Sequence, residues 1–261
     1  MLGRNFLKEK LDAGKTVLGT WCVLPSPIVS DVIASSGLDF LIIDYEHGPI
    51  GFETAQAMVI ACESRGVSPV MRVGGVLPDE ILRAMDIGVH CVQVPNVIAF
   101  DQLREIVKAA KYPPAGNKGF SPFTRGGGYD TANSQAIMAG AKNDLLAIHI
   151  EGRDAVENID ALLKVKEIDI IFIGMYDLSK SLGIPGQVDS PLLLDSVREM
   201  TAKILAAGKT PGTIATSEAQ LERFVEMGMR YITYAADCGV LLWAYKAIHN
   251  KFEGYKNRYV R

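Results

Sequence analysis

The sequence predicts a (β/α)8 barrel, and three observations carry that reading. Short apolar runs recur eight times along the 261 residues, segments of helical period separate most of them, and polar side chains gather where the runs end. The stretch "FLIIDYEHGPIG" (40–51) shows the pattern best: four apolar residues, then Asp44, Glu46, His47 and Gly48 at the expected strand exit. Reactive side chains at the carboxyl end of a buried parallel strand are the layout of an α/β enzyme site, although an ordinary strand exit capped by Asp and Gly looks similar. A doubly wound open sheet is the alternative architecture.

Taken in order, the expected strands are "VLGTWCVL" (17–24), "FLIID" (40–44), "PVMRV" (69–73), "CVQVP" (91–95), "LLAIHIE" (145–151), "IIFIG" (170–174), "TPGTIA" (210–215) and "YITYAAD" (231–237). Each is a short apolar run, as a buried parallel strand should be. Between them, "ETAQAMVIACESRG" (53–66), "DEILRAMDIG" (79–88), "FDQLREIVKAAK" (100–111) and "SEAQLERFVEMG" (217–228) have helical period, and several close on glycine as a carboxyl cap. Two segments break the rhythm. The connection "YPPAGNKGFSPFTRGGGYDTANSQAIMAGAKND" (112–144) far exceeds the usual two to six residues, which suggests a lid or a subunit contact; its "FTRGGGYD" fits a ligand-covering loop or a plain surface insertion equally well. The other is the Gly- and Pro-punctuated "DLSKSLGIPGQVDSP" after the sixth strand. No linker or low-complexity tract divides the chain, so residues 1–261 read as one domain.

Composition excludes several classes of function. The chain is 48% hydrophobic and 22% charged, with a formal charge of -3, which suits a globular protein and offers no basic field for nucleic acid or anionic membrane. Cys22, Cys62, Cys91 and Cys238 lie far apart with no CxxC pair, so neither a zinc cluster nor a disulfide framework is expected. The amino terminus "MLGRNFLKEKLDAGK" lacks an apolar core and no run reaches the length of a membrane span, which points to the cytoplasm.

If the barrel forms, the polar residues at strand ends converge on one rim: Trp21, Asp44, Glu46, His47, Arg72, Gln93, His149, Glu151, Asp177 and Asp237. Each has a structural alternative: Trp21 as core, Gln93 as a partner for backbone groups, Asp237 as a helix cap. Glu151 and Asp177 are more telling together, because neighbouring carboxylates need a cation, and an oxygen-only pair favours Mg2+ or Mn2+ over zinc. Arg72 offers a planar fork for a carboxylate or phosphate, and histidine's ordinary pKa suits His47 to proton transfer.

Five stretches, "GTWCVLPSP", "DYEHGP", "MRV", "IEGRDAVENID" and "GMYDLSKSLGIPGQ", resemble in order the HpcH/HpaI aldolases, the metal-dependent class II pyruvate aldolases, and the resemblance runs from about residue 6 to residue 252. It implies a TIM barrel of the phosphoenolpyruvate/pyruvate superfamily type, with Glu151 and Asp177 binding the metal (Mg2+ or Mn2+, with Co2+ a further candidate). Arg72 would hold the pyruvyl part and His47 act as base through water. Asp44 and Asp86 would support His47, Asp86 reaching a neighbouring subunit's site. Trp21, His149, Gly174 and Tyr176 would line the 2-keto acid pocket. The implied assembly is a hexamer, a trimer of dimers built with exchanged carboxyl-terminal helices. The implied reaction is cleavage of a 4-hydroxy-2-keto acid to pyruvate and an aldehyde, with the metal stabilising the enolate. A related enzyme of the superfamily with other chemistry, or a non-catalytic keto-acid-binding barrel, are the alternatives. Three departures touch the expected pocket or its surroundings: His149 stands where such enzymes usually have Gln, "GMYD" replaces "GPxD", and "GNKG" with Lys118 replaces "GxRG". They suggest a pocket constricted by Tyr176 and a third metal ligand in His149.

Overall fold

The computed structural model describes residues 4–259, so the first three and last two residues of the expected domain lie outside the described residues. Its strands are β1 (Val17–Cys22), β2 (Phe40–Asp44), β3 (Ser68–Arg72), β4 (Cys91–Val94), β5 (Leu145–Ile150), β6 (Ile170–Ile173), β7 (Thr210–Ala215) and β8 (Tyr231–Ala236). They pair in parallel and in sequence order, and β8 closes on β1. The eight expected runs are therefore the eight strands, with ends differing by no more than two residues. An open sheet is excluded by the closure.

The helices are α1 (Phe6–Asp12), α2 (Pro27–Ala34), α3 (Phe52–Ser64), α4 (Pro78–Asp86), α5 (Phe100–Ala110), α6 (Ser134–Gly140), α7 (Arg153–Glu157), α8 (Ile159–Leu162), α9 (Met175–Ser181), α10 (Pro191–Ala206), α11 (Glu218–Glu226) and α12 (Asp237–Tyr259). After α3 and α11 the chain passes through Gly66 and Gly228 at φ of +72° and +90°, the left-handed turn that glycine makes without steric cost.

Two cores result from the period of two along each strand. One face packs outward: Leu41, Ile43, Met71, Val92, Ile148, Ile171 and their like are buried under the helices. The other fills the barrel with Phe40, Ile42, Val70, Cys91, Ala147, Phe172 and Tyr231. Helix α1 plugs the amino-terminal end. Its cap residue Asn5 accepts from the Lys8 amide and donates to the carbonyls of His90 and Asn143, both at 2.7 Å, while the Leu7 amide donates to Ser68 Oγ. Cys22, Cys62 and Cys91 are buried and Cys238 is exposed; burial pushes the Cys62 thiol up to about 12, and that of Cys22 higher still.

The long connection is the main departure from expectation. Helix α5 follows β4 directly, so the segment after it leads into β5 and belongs to the amino-terminal face. Gly126 donates to the Asp86 carbonyl at 2.8 Å, and Arg125 pairs with Glu63 at the end of α3. Together with Asn5 and His90 the segment walls a cavity of about 410 Å3 on that face. A lid over this chain's own carboxyl mouth is therefore ruled out by topology: the segment emerges at the wrong end of the barrel.

Candidate active site at the carboxyl mouth of the barrel

Inward-facing positions at the tops of β1 to β5 assemble the site. Arg72, the last residue of β3, sits beside Asp44, the last of β2, because these two positions pair in register. Its Nε and Nη2 donate to the two oxygens of Asp44 at 2.9 and 2.6 Å, and Nη1 lies 2.8 Å from Glu46 Oε2. The indole of Trp21 forms the floor, with the guanidinium 4.4 Å from its ring centre, a cation–π contact that holds the fork flat. Trp21 is itself pinned, its Nε1 donating to Thr233 Oγ1 at 2.9 Å.

His47 stands on the connection after β2 with its side chain 70% exposed, and its Nε2 is 3.9 Å from Glu46 Oε2. Asp44 serves His47 through the backbone: Oδ1 accepts from the amides of Glu46 and His47 at 3.2 and 3.3 Å. The carboxylate expected to support the imidazole thus holds Arg72 and the turn that carries the ring. Asp86 ends α4, which runs back from the mouth to the start of β4, so within one chain it lies at the end opposite His47. Burial pushes its carboxyl up, against the pull of Lys118.

Glu151 and Asp177 follow adjacent paired strands, β5 and β6. Burial would raise the Glu151 carboxyl, but the neighbouring His149 ring, the Asn96 amide and Arg72 outweigh it and hold the group below its ordinary range. The Asn96 amide donates to Glu151 Oε1 at 2.7 Å. Gly174 abuts this carboxylate so closely that a Cβ there would lie 3.0 Å from Glu151 Oε2, so the glycine is the residue that leaves Glu151 its place. Glu46 goes the other way: burial pushes it up, Arg72 and His47 oppose, and Glu151 adds to the rise. Asp177 is exposed in the first turn of α9, and Tyr176 beside it is 49% exposed, a ring on the rim.

His149 is buried among rings, 4.8 Å from Phe172 and edge-on to Trp21. Its Nε2 meets Gln93, and its Nδ1 lies 3.5 Å from Glu151 Oε1. Asp237 sits apart from this group. It begins α12 and binds the amides of Val23 and Leu24 and the thiol of Cys22, tying the first connection to the last helix.

Two residues of the mouth had no role assigned in the sequence. Asn96 places its amide on Glu151 through a left-handed backbone, φ +56°, and reaches toward Glu46 at 3.4 Å. Asn tolerates that conformation better than most residues, yet nothing in "VPNVI" marks it. Glu46 was visible at the strand exit, but its partnership with Arg72 depends on the barrel bringing β2 and β3 together.

Among the described residues no group of three or more His, Cys, Asp or Glu is arranged to hold a metal ion. The donor chemistry nevertheless fits a hard divalent cation. Asp44, Glu46, Glu151 and Asp177 stand at or just after the strand ends of this mouth with Arg72 among them, and a cation such as Mg2+ is commonly held by one or two carboxylates, with water and substrate completing its shell.

A family model described as HpcH/HpaI aldolase/citrate lyase matches residues 18–244. The chain is 31% identical over 257 residues to a 4-hydroxy-2-oxo-heptane-1,7-dioate aldolase from Salmonella dublin, covering 97% of each chain. It is 32% identical over 248 residues to a pyruvate aldolase from Rhizobium etli, covering 95% of this chain and 97% of the relative. Among solved structures, an HpcH/HpaI aldolase from Desulfitobacterium hafniense DCB-2 superposes with a TM-score of 0.88 at 30% identity, covering 95% of this chain and 96% of the other. With a match over most of its length and the closed parallel barrel already described, this chain is an enzyme of the aldolase type and belongs to the HpcH/HpaI aldolase/citrate lyase family.

Proposed function

We propose that the protein is a divalent-metal-dependent aldolase that cleaves a 4-hydroxy-2-keto acid to pyruvate and an aldehyde. The observation that carries this reading is the excess of carboxylates at the mouth, with Glu151 held ionised although largely buried, in a family whose relatives include a pyruvate aldolase. Glu151 and Asp177 would hold Mg2+, Mn2+ or Co2+. Such an ion, when bound, supplies Lewis-acid polarisation of the keto acid's oxygens and stabilises charge developing on them.

The chain's own residues do the rest. Arg72, anchored by Asp44 and flat on Trp21, presents the outer part of its fork to the keto acid's carboxylate or carbonyl. His47, exposed at the mouth, takes the proton from the C4 hydroxyl through water as the C3–C4 bond breaks; the bonding electrons go to C3 and a proton returns there as the aldehyde leaves. Asp44 keeps His47 in place through the turn amides. His149 lies below this surface, bonded through Nε2 to Gln93.

The active assembly is a homo-oligomer, a hexamer with exchanged carboxyl-terminal helices, in which Asp86 reaches a neighbour's mouth. Support comes from α12, which is exposed from Val240 to Phe252 and carries Val240, Leu241, Leu242, Trp243, Ile248 and Phe252 into solvent. No described helix is long and apolar enough to cross a membrane, so this apolar surface needs another protein surface.

The test is incubation with Mn2+ and a panel of 4-hydroxy-2-keto acids, reading pyruvate by lactate dehydrogenase. Metal-dependent release in the parent and its loss in Asp177→Ala, with an unchanged circular dichroism spectrum, are expected. Undiminished release in that variant would sink the metal role of Asp177.

A further inference from the structure

One buried side-chain nitrogen in the barrel has nothing to bond. Among the described residues, Nδ1 of His149 is the sole buried side-chain N or O atom without a hydrogen-bond partner, although the residue is only 2% exposed. Polar atoms buried so deeply are nearly always paired, which makes this one informative. Its ring is not loose: Phe172 stacks on it at 4.8 Å and Trp21 meets it edge-on at 6.1 Å.

The other ring nitrogen decides what Nδ1 carries. Nε2 lies 2.6 Å from Gln93 Nε2, and Gln93 Oε1 accepts from the Tyr231 hydroxyl at 3.0 Å. The phenol occupies the amide oxygen, so the amide nitrogen faces the imidazole, and an amide nitrogen can only donate. In that amide orientation Nε2 accepts. A neutral imidazole that accepts at Nε2 carries its hydrogen on Nδ1, and Nδ1 lies 3.5 Å from Glu151 Oε1, outside hydrogen-bond geometry but within reach of a small shift. A bare lone pair aimed at that carboxylate would instead repel it.

We infer that Tyr231, Gln93 and His149 form a one-way donor relay through the barrel core that fixes His149 as an Nδ1–H donor and a positioning residue for Glu151. The imidazole then offers no lone pair to an ion at the mouth, and the site keeps oxygen donors only. On this reading His149 would act as an outer partner of Glu151 rather than as the third metal ligand suggested by its departure from the family pattern. The inference rests on reading Glu151 as the carboxylate that holds the ion, and the relay lies beneath that carboxylate in residues no more than 2% exposed.

Nitrogen-15 NMR of the metal-free protein tests the tautomer directly, because the chain has four histidines and the His149→Gln variant identifies the signal. A ring protonated at Nδ1 and bare at Nε2 is expected. Protonation at Nε2, or at both nitrogens, overturns the relay. Mn2+ binding, followed by electron paramagnetic resonance without substrate, tests the positioning role. His149→Gln keeps a donor and should bind Mn2+ within about three-fold of the parent, whereas His149→Phe keeps the ring stack without the donor and should bind about 10- to 100-fold more weakly, the usual effect of losing an outer partner of a ligand. Equal affinity in the two variants overturns the proposal. If the parent binds no Mn2+, the metal reading of the mouth fails, and the NMR result alone decides the relay.

Discussion

Arg72 shows at the scale of one residue how binding and stability become entangled. Its guanidinium is 11% exposed and Asp44 opposite it 3%, so the pair is a buried one, and removing one partner strands the other in a poorly solvated place. Arg72→Met should cost about 3–5 kcal/mol of folding stability, besides losing activity; urea unfolding measures this, and an unchanged midpoint would mean that Asp44 finds another partner. Asn96 is a second such residue. Alanine there would have to adopt a left-handed backbone, at about 1–2 kcal/mol, while leaving the Glu151 contact to the same amide. Asn96→Ala should therefore be less stable than the parent in the same assay, and a parent-like midpoint would mean that the turn relaxes to another conformation. Neither cost could be read from the sequence, since the first depends on which strands become neighbours and the second on the backbone conformation of one loop residue.

At the scale of elements, β1 and β2 owe their fit to a missing side chain. A Cβ at Gly19 would sit 2.5 Å from the ring of Phe40, and Phe40 is itself stacked on Tyr231 at 4.2 Å. Gly19→Ala should destabilise by about 1–3 kcal/mol as the inner core is overpacked; a thermal melt equal to the parent's would show that Phe40 can turn aside. On the amino-terminal face, burial pushes the Glu63 carboxyl up, but His90 and Arg125 outweigh it, and the group stays below its ordinary 4.5. A depressed carboxyl stabilises the fold above that ordinary value and loses the effect as pH falls below it. Stability curves of the parent and Glu63→Gln should accordingly differ at neutral pH and converge in acid, and parallel curves would contradict the pairing. The strands were legible because buried parallel strands announce themselves as apolar runs. The lid reading of the long connection failed because the helix after β4, itself legible at 100–111, already returns the chain to the amino-terminal end, so the segment that follows it cannot cover the mouth. The mouth residues were legible from their places at strand ends. Their pairings, Asp44 with Arg72 rather than with the His47 ring, were not, because register between strands decides them.

Across the whole molecule, α12 is the element least accounted for by one chain. If it is an exchanged helix, Leu242→Glu with Trp243→Glu should shift the mass in light scattering toward the 28.3 kDa of a single chain, and an unchanged assembly would remove the helix from the interface. Such a variant should also lose activity if Asp86 of one copy completes the mouth of another. The distribution of thiols provides a way to watch this. Three of the four cysteines are sealed in the core and all three are held far from ionising, whereas Cys238 lies exposed at the foot of α12. Near neutral pH a maleimide dye should therefore add once per folded chain, which intact mass would record, and four adducts would appear only after unfolding. The wild-type sequence thus carries a single optical address at the root of its most exposed helix, where the rate of labelling would report whether another surface shelters it.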